Sequence, residues 1–214
     1  MQIFHRSANT LSRVTIFGAV FIAGFILWVI GGIVRSPYFT GQGNQLEQVV
    51  PFSHQHHVGG LGIDCRYCHT TVETSSFAGI PPTSTCMNCH AQIWTNASML
   101  APVRNSFSSN RPLVWNRVHR LPDFVHFNHS IHVKKGIGCA SCHGRVDQMN
   151  LMYQASPLTM QWCLDCHRNP EQYVRPRDQV FNMAYVPVNQ KELGPQLVEK
   201  YRINRLTSCS VCHY

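Results

Sequence analysis

One spacing, Cys-x-x-Cys-His, occurs five times and decides what this chain can fold into: Cys65 to His69, Cys86 to His90, Cys139 to His143, Cys163 to His167 and Cys209 to His213. Two cysteines three residues apart can form thioethers with the two vinyl groups of one haem. The histidine that follows then lies under the iron as an axial ligand. The five copies use all ten cysteines, Cys65, Cys68, Cys86, Cys89, Cys139, Cys142, Cys163, Cys166, Cys209 and Cys212, and leave none for disulfides. Zinc knuckles need four ligands per metal, and five pairs divide badly into such sites. A disulfide scaffold gives no reason for a histidine after every second cysteine. The sequence therefore predicts five covalently bound haem c groups, with His69, His90, His143, His167 and His213 as proximal iron ligands.

That cofactor load sets the fold class. About 180 residues beyond the N-terminal apolar run must house the five haems, too few to build a conventional core, so the macrocycles must supply most of the buried apolar surface. The expected class is mainly α and irregular, with short helices centred on the motifs and no strand pattern of substance. The formal charge of +8 needs no nucleic acid to balance it, because ten haem propionates would bring roughly ten negative charges near neutral pH. No motif supports nucleic-acid binding.

From Val14 to Val34 the chain runs 21 residues without a charge, long enough to cross a bilayer as a helix. The run continues into Gly31, Gly32, Ile33, Val34 and Arg35 rather than a small-x-small cleavage site, so an uncleaved anchor is expected. Arg6 and Arg13 precede it and Arg35 follows, which favours a cytoplasmic N-terminus in a single-pass topology in the cytoplasmic membrane. Covalent attachment of haem c takes place outside that membrane, so residues 36 to 214 are expected on the periplasmic, exoplasmic side. Gly18, Gly24, Gly31 and Gly32 would let another helix approach closely, or the span is a bare tether.

The expected organisation is an N-terminal segment and anchor over 1 to 35, a linker over 36 to 51, and a haem domain over 52 to 214. Pro37, Gly41, Gly43 and Pro51 punctuate the linker. An internal duplication follows. Phe52-x-His54-x-x-His57-Val58, then Gly62-Ile63-x-Cys65, matches Phe127-x-His129-x-x-His132-Val133, then Gly136-Ile137-x-Cys139, with one residue inserted in the first copy. Each leads to a second motif, so 52 to 90 and 127 to 167 read as two di-haem modules, with the fifth haem carried by 168 to 214. Residues 91 to 126 read as a loop over haem edges or a docking surface. A helix starting near Pro195 is expected to carry Leu197 and Tyr201 on one face towards Cys209.

Six-coordinate irons need five further ligands. His54 with His57, and His129 with His132, sit three apart on one helical face and can reach neighbouring haems. For the fifth iron the expected ligand is His119, with His126 and Met149 as alternatives; a thioether would raise that haem's potential. His56 reads as a neighbour in a histidine-rich turn, and His5 lies on the other side of the anchor. Distal candidates outnumber the irons, and no Ser/His/Asp group, phosphate loop or carboxylate pair stands out. No catalytic residue is expected, and the haems read as an electron conduit.

The anchor, the two Phe-x-His-x-x-His modules of the cytochrome c3/c7 kind, Leu121-Pro122-Asp123-Phe124, Trp162-Cys163-Leu164-Asp165-Cys166-His167 and the terminal fifth motif resemble the pentahaem cytochrome c subunit of bacterial alternative complex III. That resemblance implies an electron-transfer subunit of a membrane quinol oxidoreductase in the respiratory chain. It would carry electrons from quinol oxidation to a periplasmic acceptor. The implied partners are an iron-sulfur, molybdopterin-like subunit, polytopic quinol-oxidising subunits and a monohaem cytochrome c. The chief alternative is a self-sufficient quinol dehydrogenase cytochrome of the NapC/NrfH type, although the first motif here begins 30 residues beyond the apolar run. Intact mass of the mature protein is expected to exceed that of the polypeptide by five haems. Cys163→Ala with Cys166→Ala should remove one of them.

Overall fold

The structure, a computed structural model, describes residues 4–214; Met1, Gln2 and Ile3 of the expected N-terminal segment lie outside the described residues. The chain divides into two compact units, the first ending at Gly41 and the second spanning Gln42 to Tyr214.

The first unit is built on α1 (Ser7–Arg35), 29 residues long and apolar enough to cross a membrane. None of it is buried; Phe17, Phe21 and Trp28 point outward at 72%, 74% and 74% exposure, as a lipid-facing span requires. Pro37 ends it, because the residue before a proline is pushed out of the helical region, and Ser36 sits at ψ 155 with its hydroxyl donating to the Ile33 carbonyl. Pro37 then opens a single turn, α2 (Pro37–Thr40), that closes on Gly41 at φ 71.

The second unit contains short helices and turns, and no β-strand among the described residues, only isolated bridges. Two of these lie within the stretch read from sequence as a linker: Gln42 pairs with Gln154 and Gln45 with Tyr153, and Val50 is buried in a cluster with Leu100 and Val103. The first four motifs are helical, as two sulfurs on one face demand. They occupy α3 (Cys65–Cys68), the C-terminal half of α4 (Thr83–His90), and, after α5 (Ala101–Ser109) and α6 (His129–Lys134), they occupy α7 (Cys139–His143) and α8 (Met160–Arg168). The fifth is a 3-10 turn, Cys209–Val211. Asp64, Asn128 and Thr159 cap α3, α6 and α8 by accepting backbone N–H groups with their side chains.

The two modules reproduce one geometry. Phe52 stacks on His57 at 4.4 Å and meets His54 edge-on at 4.9 Å; Phe127 stacks on His132 at 4.4 Å and meets His129 edge-on at 4.8 Å. The residue inserted in the first copy is absorbed by a π-helical turn, Gln55–Gly60, where the second copy has the α-helical α6. The hydrogen bond that ends each segment survives the insertion: Ile63 N–H donates to the His57 carbonyl and Ile137 N–H to that of His132. Extra residues taken up as a wide helical turn leave the flanking side chains in register.

Two expectations are corrected. Residues 91–126, read as a loop, contain α5, which opens at Ala101-Pro102 and ends on Asn110 at φ 52. It packs on α4 through a Thr83–Ser106 hydroxyl contact of 2.6 Å. The late helix, α9 (Gln190–Lys200), starts five residues before Pro195, which lies inside it. Leu197 and Tyr201 do face inward, against Val174. The helix stops at Tyr201, however, and an irregular segment rather than the helix leads to Cys209.

Buried apolar residues are few: Val50, Val72, Leu100, Val103, Met149, Val174, Val180, Leu197 and Tyr201. They form small clusters behind the motifs rather than one core. The α9 cluster depends on close backbone approach, since a Cβ on Gly194 would fall well inside van der Waals contact of the Glu171 carbonyl. Alanine there gains about 1 kcal/mol of helix propensity but forces two backbones apart, which costs about 1–3 kcal/mol. Gly194→Ala is therefore expected to lower the thermal midpoint of the holoprotein. Gly60→Ala, which meets only an ordinary contact, should leave it unmoved.

Candidate haem-binding site

The histidines of the motifs share one arrangement. Nδ1 of His69 lies 2.6 Å from the Gly79 carbonyl, that of His90 3.1 Å from Ile93, that of His167 2.9 Å from Leu206 and that of His213 2.9 Å from Phe124. Three of the expected distal histidines do the same: His57 to Ser53, His129 to Ser76 and His132 to Asn128, at 2.8, 2.8 and 2.7 Å. A carbonyl oxygen can only accept, so Nδ1 carries the proton in each ring and Nε2 keeps its lone pair. That tautomer, held by a fixed acceptor, is what an imidazole needs to bind a metal.

The rings also come in pairs. His57 and His90 have centroids 6.2 Å apart, His132 and His167 6.1 Å, and His129 and His143 6.3 Å. Imidazole nitrogens lie about 2 Å from a first-row metal; with about 1.1 Å from nitrogen to ring centre, two rings on opposite sides of one ion have centroids about 6.3 Å apart. The residues present therefore fit a six-coordinate haem iron at the second, third and fourth motifs. At the first motif, His54 lies close enough to His69 and His57 for their charges to act on it. Burial first, then those two neighbours, lower its pKa to about 4. Its Nδ1 is buried without a partner.

His143 departs from the pattern. Its Nδ1 meets a side chain, Nε2 of His119 at 3.1 Å, with the rings edge-on at 4.4 Å. If His143 offers Nε2 to iron, its Nδ1–H donates to His119. Burial, then the neighbouring His119 and His129, pushes the His143 pKa down to about 3, which keeps the ring neutral and able to ligate. His119 was expected at the fifth iron, and the fold brings it instead to the third motif. His126 is the histidine placed beside the fifth: its N–H donates to the Cys212 carbonyl and its ring stacks on Tyr214 at 4.2 Å. Met149 is buried at 3% exposure, and its methyl lies near Gly144, directly after the third motif. His56 stacks on Trp94, and His5 bonds Ser7.

The ten cysteines are half-buried, apart from Cys89 and Cys209, which are exposed. The two modules interlock: His129 N–H and Ser130 N–H donate to the carbonyls of Ser76 and Ser75, which follow the first motif.

Residues 131–214 match the cytochrome c3 family. Over 126 residues the chain is 32% identical to the multihaem cytochrome c subunit of a menaquinone reductase from Nitratidesulfovibrio vulgaris. The alignment covers 58% of this chain and 58% of that subunit, so the chain spans a little over half the length of the relative it matches. The family match takes in the last three motifs and begins inside α6.

The carbonyl partners carry no sequence signal, because every residue has one. Asn128, which caps α6 and also accepts from His132 Nδ1, is the exception, since asparagine three residues before an apolar position is a recognisable start signal. His57→Ala should leave the haem of the second motif with an open iron position. One haem's worth of high-spin ferric signal is expected in the EPR spectrum, with haem content unchanged.

Proposed function

We propose that this chain carries five haem c groups and is the electron-transfer subunit of a membrane quinol oxidoreductase of the alternative complex III kind. The observation that carries the reading is the pairing of imidazoles across the motifs. An iron with a ring on each face has no free position for substrate, so it exchanges electrons and does not bind and transform a molecule. His54 would serve His69, His57 His90, His129 His143, His132 His167, and His126 the iron over His213. The two interlocked modules then hold the haems in one continuous protein body. When bound, the haems would supply one-electron chemistry; the polypeptide fixes the tautomer of seven of the histidines through a carbonyl acceptor at Nδ1.

On this reading α1 anchors the haem domain at the outer face of the cytoplasmic membrane, N-terminus inside. The partners are polytopic quinol-oxidising subunits, an iron-sulfur, molybdopterin-like subunit and a monohaem cytochrome c. The path runs from quinol to a periplasmic acceptor. The name of the relative, a menaquinone reductase subunit, favours a second direction, towards menaquinone.

The experiment is purification of the native complex followed by stopped-flow spectroscopy of its c-type haems. Rapid reduction by a menaquinol analogue, with slow oxidation by the quinone, is expected. Rapid haem oxidation by the quinone with negligible reduction by quinol would reverse the direction. Reduction by quinol in the isolated subunit, with nothing co-purifying, would replace the complex with a self-sufficient dehydrogenase.

A further inference from the structure

The two modules differ at the residue before the first cysteine. In the first module it is Asp64, which caps α3 and forms a two-point ion pair with Arg66 at the surface, 2.8 Å at the closer contact. In the second it is Gly138. The space a Cβ would take there is filled by the guanidinium of Arg175, which is 9% exposed. Its backbone is pinned by donation from Arg175 N–H to the Gly136 carbonyl at 2.8 Å, beside the Ile137–Val174 bridge. One terminal nitrogen donates to the Asn182 carbonyl and the other to the hydroxyl of Ser141, inside the third motif itself, both at 3.2 Å. The Tyr185 ring lies 5.1 Å from the guanidinium carbon.

All of these neighbours are neutral. Among the described residues no carboxylate pairs with Arg175, and its Nε is buried with no acceptor. A guanidinium does not lose its proton in a protein. The fold therefore maintains a permanent positive charge against the third motif where the first has a neutralised pair.

We propose that Arg175, admitted by Gly138, is a tuning charge that raises the reduction potential of the haem attached at Cys139 and Cys142. The inference rests on the haem reading of that motif. Reduction adds one electron to ferric iron and gives ferrous iron, supplied by a neighbouring haem in the proposed chain. The haem core goes from one net positive charge to none. A nearby fixed cation in a medium of low dielectric disfavours the positive, oxidised form and leaves the neutral, reduced form little changed. Asp64 with Arg66 sums to zero charge and is solvated, so the first haem feels no such bias.

The test is a potentiometric titration of the full-length holoprotein, with haem content checked by intact mass. Paramagnetic NMR identifies the haem at the third motif. Arg175→Gln removes the charge, and Arg175→Lys keeps it. The expected result for Arg175→Gln is about a tenfold fall in the reduced-to-oxidised ratio of that haem at a fixed ambient potential, about 59 mV for a one-electron couple, with the other haems unmoved. Arg175→Lys should retain the wild-type potential. Equal shifts in both variants would mean that loosened packing, not charge, sets the potential, and an unchanged potential in a fully loaded Arg175→Gln protein would overturn the proposal. Gly138→Asp provides an independent arm if the neutral variant does not fold. Its Cβ would displace the guanidinium from the notch and its carboxylate would offset the charge, so it should lower the same potential; no shift would again refute it. Absence of haem from the wild-type motif would instead defeat the underlying haem reading.

Discussion

A hydrogen bond from imidazole Nδ1 to a backbone carbonyl recurs at His57, His69, His90, His129, His132, His167 and His213, and the geometry of the histidine cluster depends on it. A histidine ring on a free side chain has two tautomers and two rotatable bonds. Donation to an immovable acceptor removes most of that freedom before any metal arrives. Three of the seven acceptors come from remote parts of the chain: Leu206 for His167, Phe124 for His213 and Ser76 for His129. The loops between motifs are therefore also the frame that aims the rings.

That role accounts for a domain with so little apolar core. The buried clusters around Val50 and around Val174 stiffen the backbone behind the motifs, while the faces that carry the cysteines stay half-open. A chain of this size that fills its own interior would leave no room for several macrocycles. Apolar side chains close to the motifs in sequence, among them Leu61, Phe77, Ile80 and Ile93, are exposed and offer surface that a large planar apolar group would cover.

The duplication clarifies which differences carry consequences. The inserted residue at Gln55–Gly60 changes the helix type and leaves the Phe-His-His geometry intact. The exchange of Asp64 for Gly138 changes the charge beside the motif from a solvated ion pair to a buried, unpaired arginine. His143 likewise exchanges a carbonyl partner for the imidazole of His119. Both departures fall on the third motif, so two motifs with the same sequence signature are given different surroundings.

By itself the sequence determined everything that follows from spacing. The five Cys-x-x-Cys-His motifs, the histidine of each, the duplicated di-histidine elements, the short-helix character and the apolar N-terminal run all depend on residues a few positions apart. Intervals of three or four residues place side chains on one face whatever the rest of the chain does. Only the tertiary structure decided what crosses from one segment to another: that His119 meets His143 and His126 sits at the fifth motif, that Arg175 fills the notch left by Gly138, and that α9 begins well before Pro195. Those outcomes turn on which backbones approach closely enough to share a hydrogen bond or exclude a Cβ. Approach of that kind depends on the path of the whole chain and leaves no periodic trace in the order of its residues.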